Sequence, residues 1–316
     1  MEDFEGRTCQ THTQLHHAGT GRSGVRADMP ATVAPMPTLS TSPQPAIRAM
    51  KSNTSRASFA VLSACMSLPA VADPQPAVAF QRTGYLELGY GHHALSAGNS
   101  DWNDQYMRGS VQLTAKDRVF GEASHQDHFD DEGAYLGAGY SRVFNQDWYA
   151  TVSAGASTGG VFLPRVRTDG FLYRKWLDKK NLVTGVGFTY SRSRLENYDR
   201  IFWLNLIYYF DAPWILEVGG NIAESNPGAV QSGRGYIALT YGTHKHHYLT
   251  VNYNHGTEGW QAIGGTNTIS DFQSYEITAT WRQWITDDFG FNLVGNHYRN
   301  PNYDRAGFIV GLFVDF

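Results

Sequence analysis

From Thr83 onward the chain is written in segments of about ten residues that alternate in hydrophobicity and are separated by turn-rich stretches. Residues 271–284 are the clearest case. Tyr275, Ile277, Ala279 and Trp281 fall on one face, and Ser274, Glu276, Thr278, Thr280 and Arg282 fall on the other. A period of two sends successive side chains to opposite faces of a strand. A soluble sheet with this period would carry more Lys and Glu on its polar face. Here that face is Ser, Thr, Asn and Gly with isolated charges, as a hydrated lumen requires. The pattern predicts an all-β transmembrane antiparallel barrel of the up-and-down type.

Composition excludes the competing classes. Of 316 residues, 17% are charged and 14% aromatic, whereas a soluble domain carries about a quarter charged residues. A helical membrane protein needs apolar runs of roughly 18 residues or more. The longest here, residues 57–72, is shorter and is interrupted by Ser63, Ser67 and Pro69. A net charge of -4 leaves no basic surface for nucleic acid.

About fourteen strands can be counted between one centred on Leu88 and one centred on Gly311, with twelve as the alternative; bacterial barrels have even counts. Short links at 116–118, 145–147, 177–181, 211–213, 243–245 and 286–288 alternate with longer ones at 94–104, 128–132, 158–168, 193–197, 223–232, 256–270 and 299–302. Periplasmic turns are short and extracellular loops long in such barrels, so both ends of the barrel domain are expected in the periplasm. The eight Trp residues, with many Tyr, are expected near strand ends as interfacial girdles.

The N-terminal part has a different character. Residues 1–49 are rich in Thr, Ser, Pro, Gly and His and cannot build a core, so they are expected to be a disordered leader. Met50-Lys51 and Arg56, the apolar stretch 57–68, and Ala70-Val71-Ala72 form a secretory signal over 50–72, which implies that translation starts at Met50. A short periplasmic segment, 73–82, precedes the barrel at 83–316. Leu62-Ser63-Ala64-Cys65 resembles a lipobox, an alternative in which Cys65 carries lipid. Apart from Cys9 and Cys65 the chain has no cysteine, so a product cleaved after Ala72 has no thiol chemistry. At the other end, Phe308, Val310, Leu312, Val314 and Phe316 share one face of the last strand. That strand resembles the segment by which outer-membrane proteins meet the barrel assembly machinery.

Gly137-Ala138-Gly139-Tyr140, Phe162-Leu163-Pro164-Arg165, Tyr173-Arg174-Lys175-Trp176 and the segments 183–190 and 203–210 carry a resemblance to the YaiO family of outer-membrane β-barrels. The resemblance covers about Gly133 to Phe316. It implies the fold, an outer-membrane location in a Gram-negative cell and, for some members, proximity to an envelope polysaccharide system. It implies no catalytic residue.

Three clusters carry residue types suited to chemistry. His255, with Asn252 and Asn254, is the nearest approach to an acyl-hydrolase triad, but the nearest following serine, Ser270, lies beyond a long loop. His244 and His246 would share a strand face at a spacing that could hold a metal ion. The stretch 125–132 joins two histidines to four carboxylates and could attract calcium. A mouth histidine, a solvated turn and a solvated acidic loop are the preferred readings. No enzyme activity, metal or cofactor is expected.

Alternation places Glu87, Arg108, Glu122, Glu217, Glu276 and Arg282 in the lumen, because Leu86, Leu88, Met107, Val111, Leu216, Val218, Ile277 and Trp281 take the lipid face. An Arg on the lipid face would cost about 2–4 kcal/mol at the midplane. The leading functional expectation is a passive channel or export pore for small or saccharide solutes. A non-conducting barrel that binds lipopolysaccharide or an envelope partner, and a lipid-modifying enzyme, are the alternatives. The expected partners are outer-membrane lipids and lipopolysaccharide.

Overall fold

The computed structural model describes residues 82–194, 197–263 and 267–316. The leader, the signal segment, Cys9, Cys65 and all but the last residue of segment 73–82 lie outside them. The described residues form fourteen strands: β1 (Gly84–Leu95), β2 (Trp102–Gln112), β3 (Asp117–His128), β4 (Asp131–Val143), β5 (Trp148–Gly159), β6 (Val166–Trp176), β7 (Leu182–Arg192), β8 (Tyr198–Tyr209), β9 (Trp214–Asn226), β10 (Val230–Thr243), β11 (His247–Ile263), β12 (Asn267–Trp284), β13 (Phe289–Arg299) and β14 (Asp304–Asp315). Each pairs antiparallel with its sequence neighbours, and β14 returns to β1 to close the barrel. Gly84 and Phe316 seal that seam with two backbone hydrogen bonds of 2.7 and 2.9 Å. Closure leaves no strand edge, which is the only way a sheet can satisfy its backbone inside hydrocarbon.

The two faces separate as the alternation demands. Leu136, Leu204 and Ile222 are 68%, 64% and 65% exposed, and Leu86, Leu88, Met107, Val218, Ile277 and Trp281 also point outward. Water would penalise each such side chain by roughly 1.5–3 kcal/mol relative to burial, and a bilayer removes that penalty. Among the described residues no helix is long and apolar enough to cross a membrane, so the crossing is made by strands.

Two expectations need correction. Connection length does not alternate strictly: β3 and β4 are joined by Phe129 and Asp130 alone, and β11 and β12 run for 17 and 18 residues into the stretch expected to be a loop. Beyond the hydrocarbon the outer face no longer needs apolar residues, so the apolar period fades while backbone pairing continues. Nor are all the tryptophans interfacial. Trp148, Trp176, Trp214 and Trp281 lie on the outer face, but Trp102 and Trp284 are buried on the inner one.

Several inward rings lie flat against the wall because a glycine faces them across the ladder. Phe171 pairs with Gly187, and Phe120 with Gly139. A Cβ at either glycine would come within 2.1 Å of the ring. Such pairs let a strand carry a large aromatic without sending it toward the barrel axis. At the end of the barrel that holds Arg82 and Phe316, charged turns are tied together: Lys180 meets Asp147 at 2.6 Å and Lys179 meets Asp211 at 2.9 Å. The hydrogen bond from Lys180 holds the Asp147 carboxyl below the usual carboxylate range.

The inner wall as candidate functional site

All six charged residues singled out from the sequence lie on the inner face. Glu87 is the centre of the largest group they form. It is the register partner of Arg108, whose Nη2 donates to Oε1 at 2.6 Å, and the Tyr106 hydroxyl donates to the same oxygen at 2.9 Å. The other oxygen, Oε2, accepts from Arg282 Nη1 at 2.9 Å. The Arg282 guanidinium also stands 3.4 Å from the centre of the Phe313 ring, whose π-face attracts a cation. Glu122 sits opposite Arg108 in the β2–β3 register. Glu276 accepts from Arg305 at 2.8 Å, and Glu217 from the Tyr236 hydroxyl at 2.6 Å.

Other inward pairs were not foreseen. Arg234 donates to Glu258 at 2.8 Å, and the Glu258 carboxylate also accepts from Tyr298 at 3.0 Å and from Ser274. Arg167 donates to Asp169 at 2.8 Å, and Thr189 to the same carboxylate at 2.7 Å. Glu258 was hidden because its segment looks like a loop. Asp169 could have been found, since it alternates with Phe171 and Tyr173.

The rest of the wall divides by chemistry. On β10 to β13 the inward residues include Thr240, Thr250, Asn252, Thr278, Thr280, Asn292 and Asn296, all uncharged and hydrophilic. On β5 to β8 an aromatic and aliphatic cluster forms from Tyr149, Phe171, Tyr173, Val183 and Ile207, with Trp203 packed against it. At the end away from Arg82 and Phe316, Phe162 stacks on His128 at 4.4 Å and His128 on Trp102 at 4.1 Å. The His128 ring is oriented by Asp104 at 2.9 Å.

The other sequence candidates do not assemble. His255 faces outward opposite Tyr275, whereas Ser270 pairs with Trp260 farther along the ladder, so Ser270 does not stand beside the histidine. His244 and His246 lie in the turn between β10 and β11, where strand alternation does not apply. In the 125–132 stretch, His125 points out and His128 points in, and Asp131 is engaged by the Val161 amide at 2.6 Å. Among the described residues no group of three or more His, Cys, Asp or Glu is placed to hold a metal ion.

A closed antiparallel barrel with an apolar outer belt and a polar, charge-paired interior defines an outer-membrane β-barrel protein. The family model for the YaiO membrane beta barrel domain matches residues 83–261, and the chain belongs to that family. Comparison with curated protein sequences gave no match. Among solved structures, a loop-deletion mutant of OmpT, an outer membrane protein of Vibrio cholerae, is 10% identical with a TM-score of 0.42 over 75% of this chain and 99% of its own. A Salmonella typhi OmpF complex with daunomycin is 8% identical with a TM-score of 0.41, over 74% of this chain and 97% of its own. A bacterial polysaccharide outer membrane secretin is 10% identical with a TM-score of 0.47, over 74% of this chain and 98% of its own.

Proposed function

We propose that this barrel is a passive outer-membrane conduit for small or saccharide solutes, with weak discrimination by charge. The observation that carries the reading is the pairing of the inner-wall charges. Glu87 with Arg108 and Arg282, Glu276 with Arg305, Glu258 with Arg234, and Asp169 with Arg167 all meet within 3 Å or less. Four carboxylates against five guanidiniums come close to balance and leave little net field along the axis, so hydroxyl and amide groups rather than ions set what the wall favours. Inward rings folded over glycines favour the same reading, since they keep bulk off the axis. In this reading the protein is not an enzyme, and its partners are outer-membrane lipids, lipopolysaccharide and an envelope polysaccharide system.

The second reading, a non-conducting barrel that binds an envelope partner, is favoured by the Glu87–Arg282 contact, which braces the wall, and by the stack of Trp102, His128 and Phe162. Planar-bilayer recording on the assembled protein separates the two. Discrete open steps with a cation-to-anion permeability ratio near one support the conduit. A heat-modifiable barrel that never opens overturns it in favour of the binding reading.

A further inference from the structure

The outer face carries a cationic patch that takes no part in the inner-wall network. Arg192 ends β7 and Arg200 lies near the start of β8, at the end of the barrel away from Arg82 and Phe316. Both point outward and are exposed, and the Arg200 side chain is 54% accessible. The β7–β8 register sets Arg192 opposite Tyr198 and Arg200 opposite Tyr190. The two arginines are therefore diagonal neighbours, with Cβ atoms roughly 7–8 Å apart, a separation that long side chains close easily around one anion. The Arg200 guanidinium leans over the Tyr198 ring, 5.4 Å from its centre, and so toward Arg192.

The protein itself does little to neutralise this patch. Arg192 takes part in no ion pair among the described residues. The outward carboxylate beside Arg200 is its register partner Glu224, and it stands 3.8 Å away. Glu224 Oε1 already accepts from Asn226 at 2.9 Å and its Oε2 from Gln231 at 3.3 Å. Arg194, the next cation along the chain, is held instead by backbone, donating to the carbonyl of Gly159 at 2.9 Å and to that of Ser157.

Toward the middle of the membrane, the same strands and β9 present Phe188, Phe202 and Ile222, which are register partners in one exposed rank. Phe188 lies four residues before Arg192, roughly 13 Å along the strand at about 3.3 Å per residue. Between them stand Tyr190 and Tyr198, with ring centres 6.1 Å apart. Apolar rank, tyrosines and then arginines follow the order of acyl chains, interface and phosphate in a lipid leaflet.

We infer that Arg192 and Arg200, above the interfacial pair Tyr190 and Tyr198, form a binding site for a phosphate group of lipopolysaccharide. A guanidinium fork matches phosphate oxygens two at a time, and two adjacent forks suit the phosphorylated sugar head of that lipid. The patch lies on the outer-leaflet side in the orientation expected from the sequence, with both ends of the barrel domain in the periplasm. This deepens the partner reading by giving lipopolysaccharide a site on the barrel, and it rests on that reading.

The test is native mass spectrometry of the assembled protein in detergent, titrated with diphosphoryl lipid A in the presence of EDTA so that no divalent ion bridges lipid to carboxylate. The same lipid stripped of its phosphates, and phosphatidylglycerol, are the comparisons. The expected result is tighter binding of diphosphoryl lipid A than of either, weakened at least tenfold in Arg192→Gln/Arg200→Gln. Arg299→Gln alters an outward arginine at the same end that already pairs with Asp304 at 3.3 Å, and should bind as the parent does. Heat-modifiability reports whether each variant has folded. Equal binding by parent and double variant overturns the site and leaves the partner reading standing. Equal binding of the dephosphorylated lipid also overturns the site. Phosphatidylglycerol bound as tightly as lipid A overturns the assignment to lipopolysaccharide. A parent protein that binds no lipid A overturns the site and the partner reading together.

Discussion

Glu87 on β1 and Arg282 on β12 meet at 2.9 Å across the inner wall, although β14 and β13 stand between their strands. Hydrogen bonds of the sheet tie only adjacent strands, so this contact is a tie of a different kind. It holds the seam region of the barrel from within, with Arg108 on the other carboxylate oxygen and the Phe313 ring beneath the Arg282 guanidinium.

Glu87→Gln removes the one carboxylate that serves both arginines. Breaking a buried pair by deleting one partner costs about 3–5 kcal/mol, because the remaining charge stays buried without compensation. The expected outcome is a lower unfolding temperature in the heat-modifiability assay, partly restored in the double variant Glu87→Gln/Arg282→Met. In bilayers the single variant is expected to shift permeability toward anions. Unchanged stability in Glu87→Gln would show that the contact does not brace the wall.

Gly187→Val tests how the rings are kept off the axis. The new side chain occupies the space of the Phe171 ring, since even a Cβ would come within 2.1 Å of it. Overpacking of this kind costs about 1–3 kcal/mol. A ring displaced from the wall moves toward the lumen, so single-channel conductance is expected to fall. Gly187→Ala/Phe171→Leu, which keeps the wall clear, should return conductance to the parent value.

Phe162→Ala tests the stack at the end of the barrel away from Arg82 and Phe316. Loss of the ring contact with His128 removes about 0.5–1.5 kcal/mol of aromatic pairing. The connection between β5 and β6 is expected to become cleavable by protease added to intact cells. The turn between β6 and β7, at the other end, stays protected. Cleavage in the opposite pattern would reverse the orientation expected from the sequence, in which both ends of the barrel domain face the periplasm.

Phe316→Ala tests the closing seam. The Phe316 ring lies against Gly84, where an added Cβ would approach it to 2.7 Å. The two backbone hydrogen bonds between these residues survive the substitution, so a refolded barrel should keep its heat-modifiable shift. Assembly in cells is expected to slow, read as accumulation of unassembled chain in the periplasm, if the last strand is what the assembly machinery engages.

The lipid side of the barrel was legible at the level of single residues. Leu88, Met107, Val218 and Ile277 could be assigned outward, and Glu87, Arg108, Glu217 and Glu276 inward, because hydrocarbon on one face penalises every polar side chain there. A count of about fourteen strands followed from the same period. What the period could not reach was the part of each strand beyond the bilayer. Beyond the bilayer the outer face no longer needs apolar residues, so the period is lost and Glu258 looked like a loop residue when it is the buried acceptor for Arg234, Ser274 and Tyr298. The two histidines of the 125–132 stretch looked like a joint cation site. Strand alternation sends them to opposite faces instead.

Sequence alone determined the antiparallel barrel and which face of each strand meets lipid, since a strand's face is set by its own residues and the solvent on each side; it left the count at about fourteen with twelve open, and the closed ladder decided for fourteen. Only the closed tertiary structure decided who meets whom inside. Glu87 finds Arg282, and Glu276 finds Arg305, because strands that are not ladder neighbours share one interior. No local period encodes a contact made across the interior of a barrel.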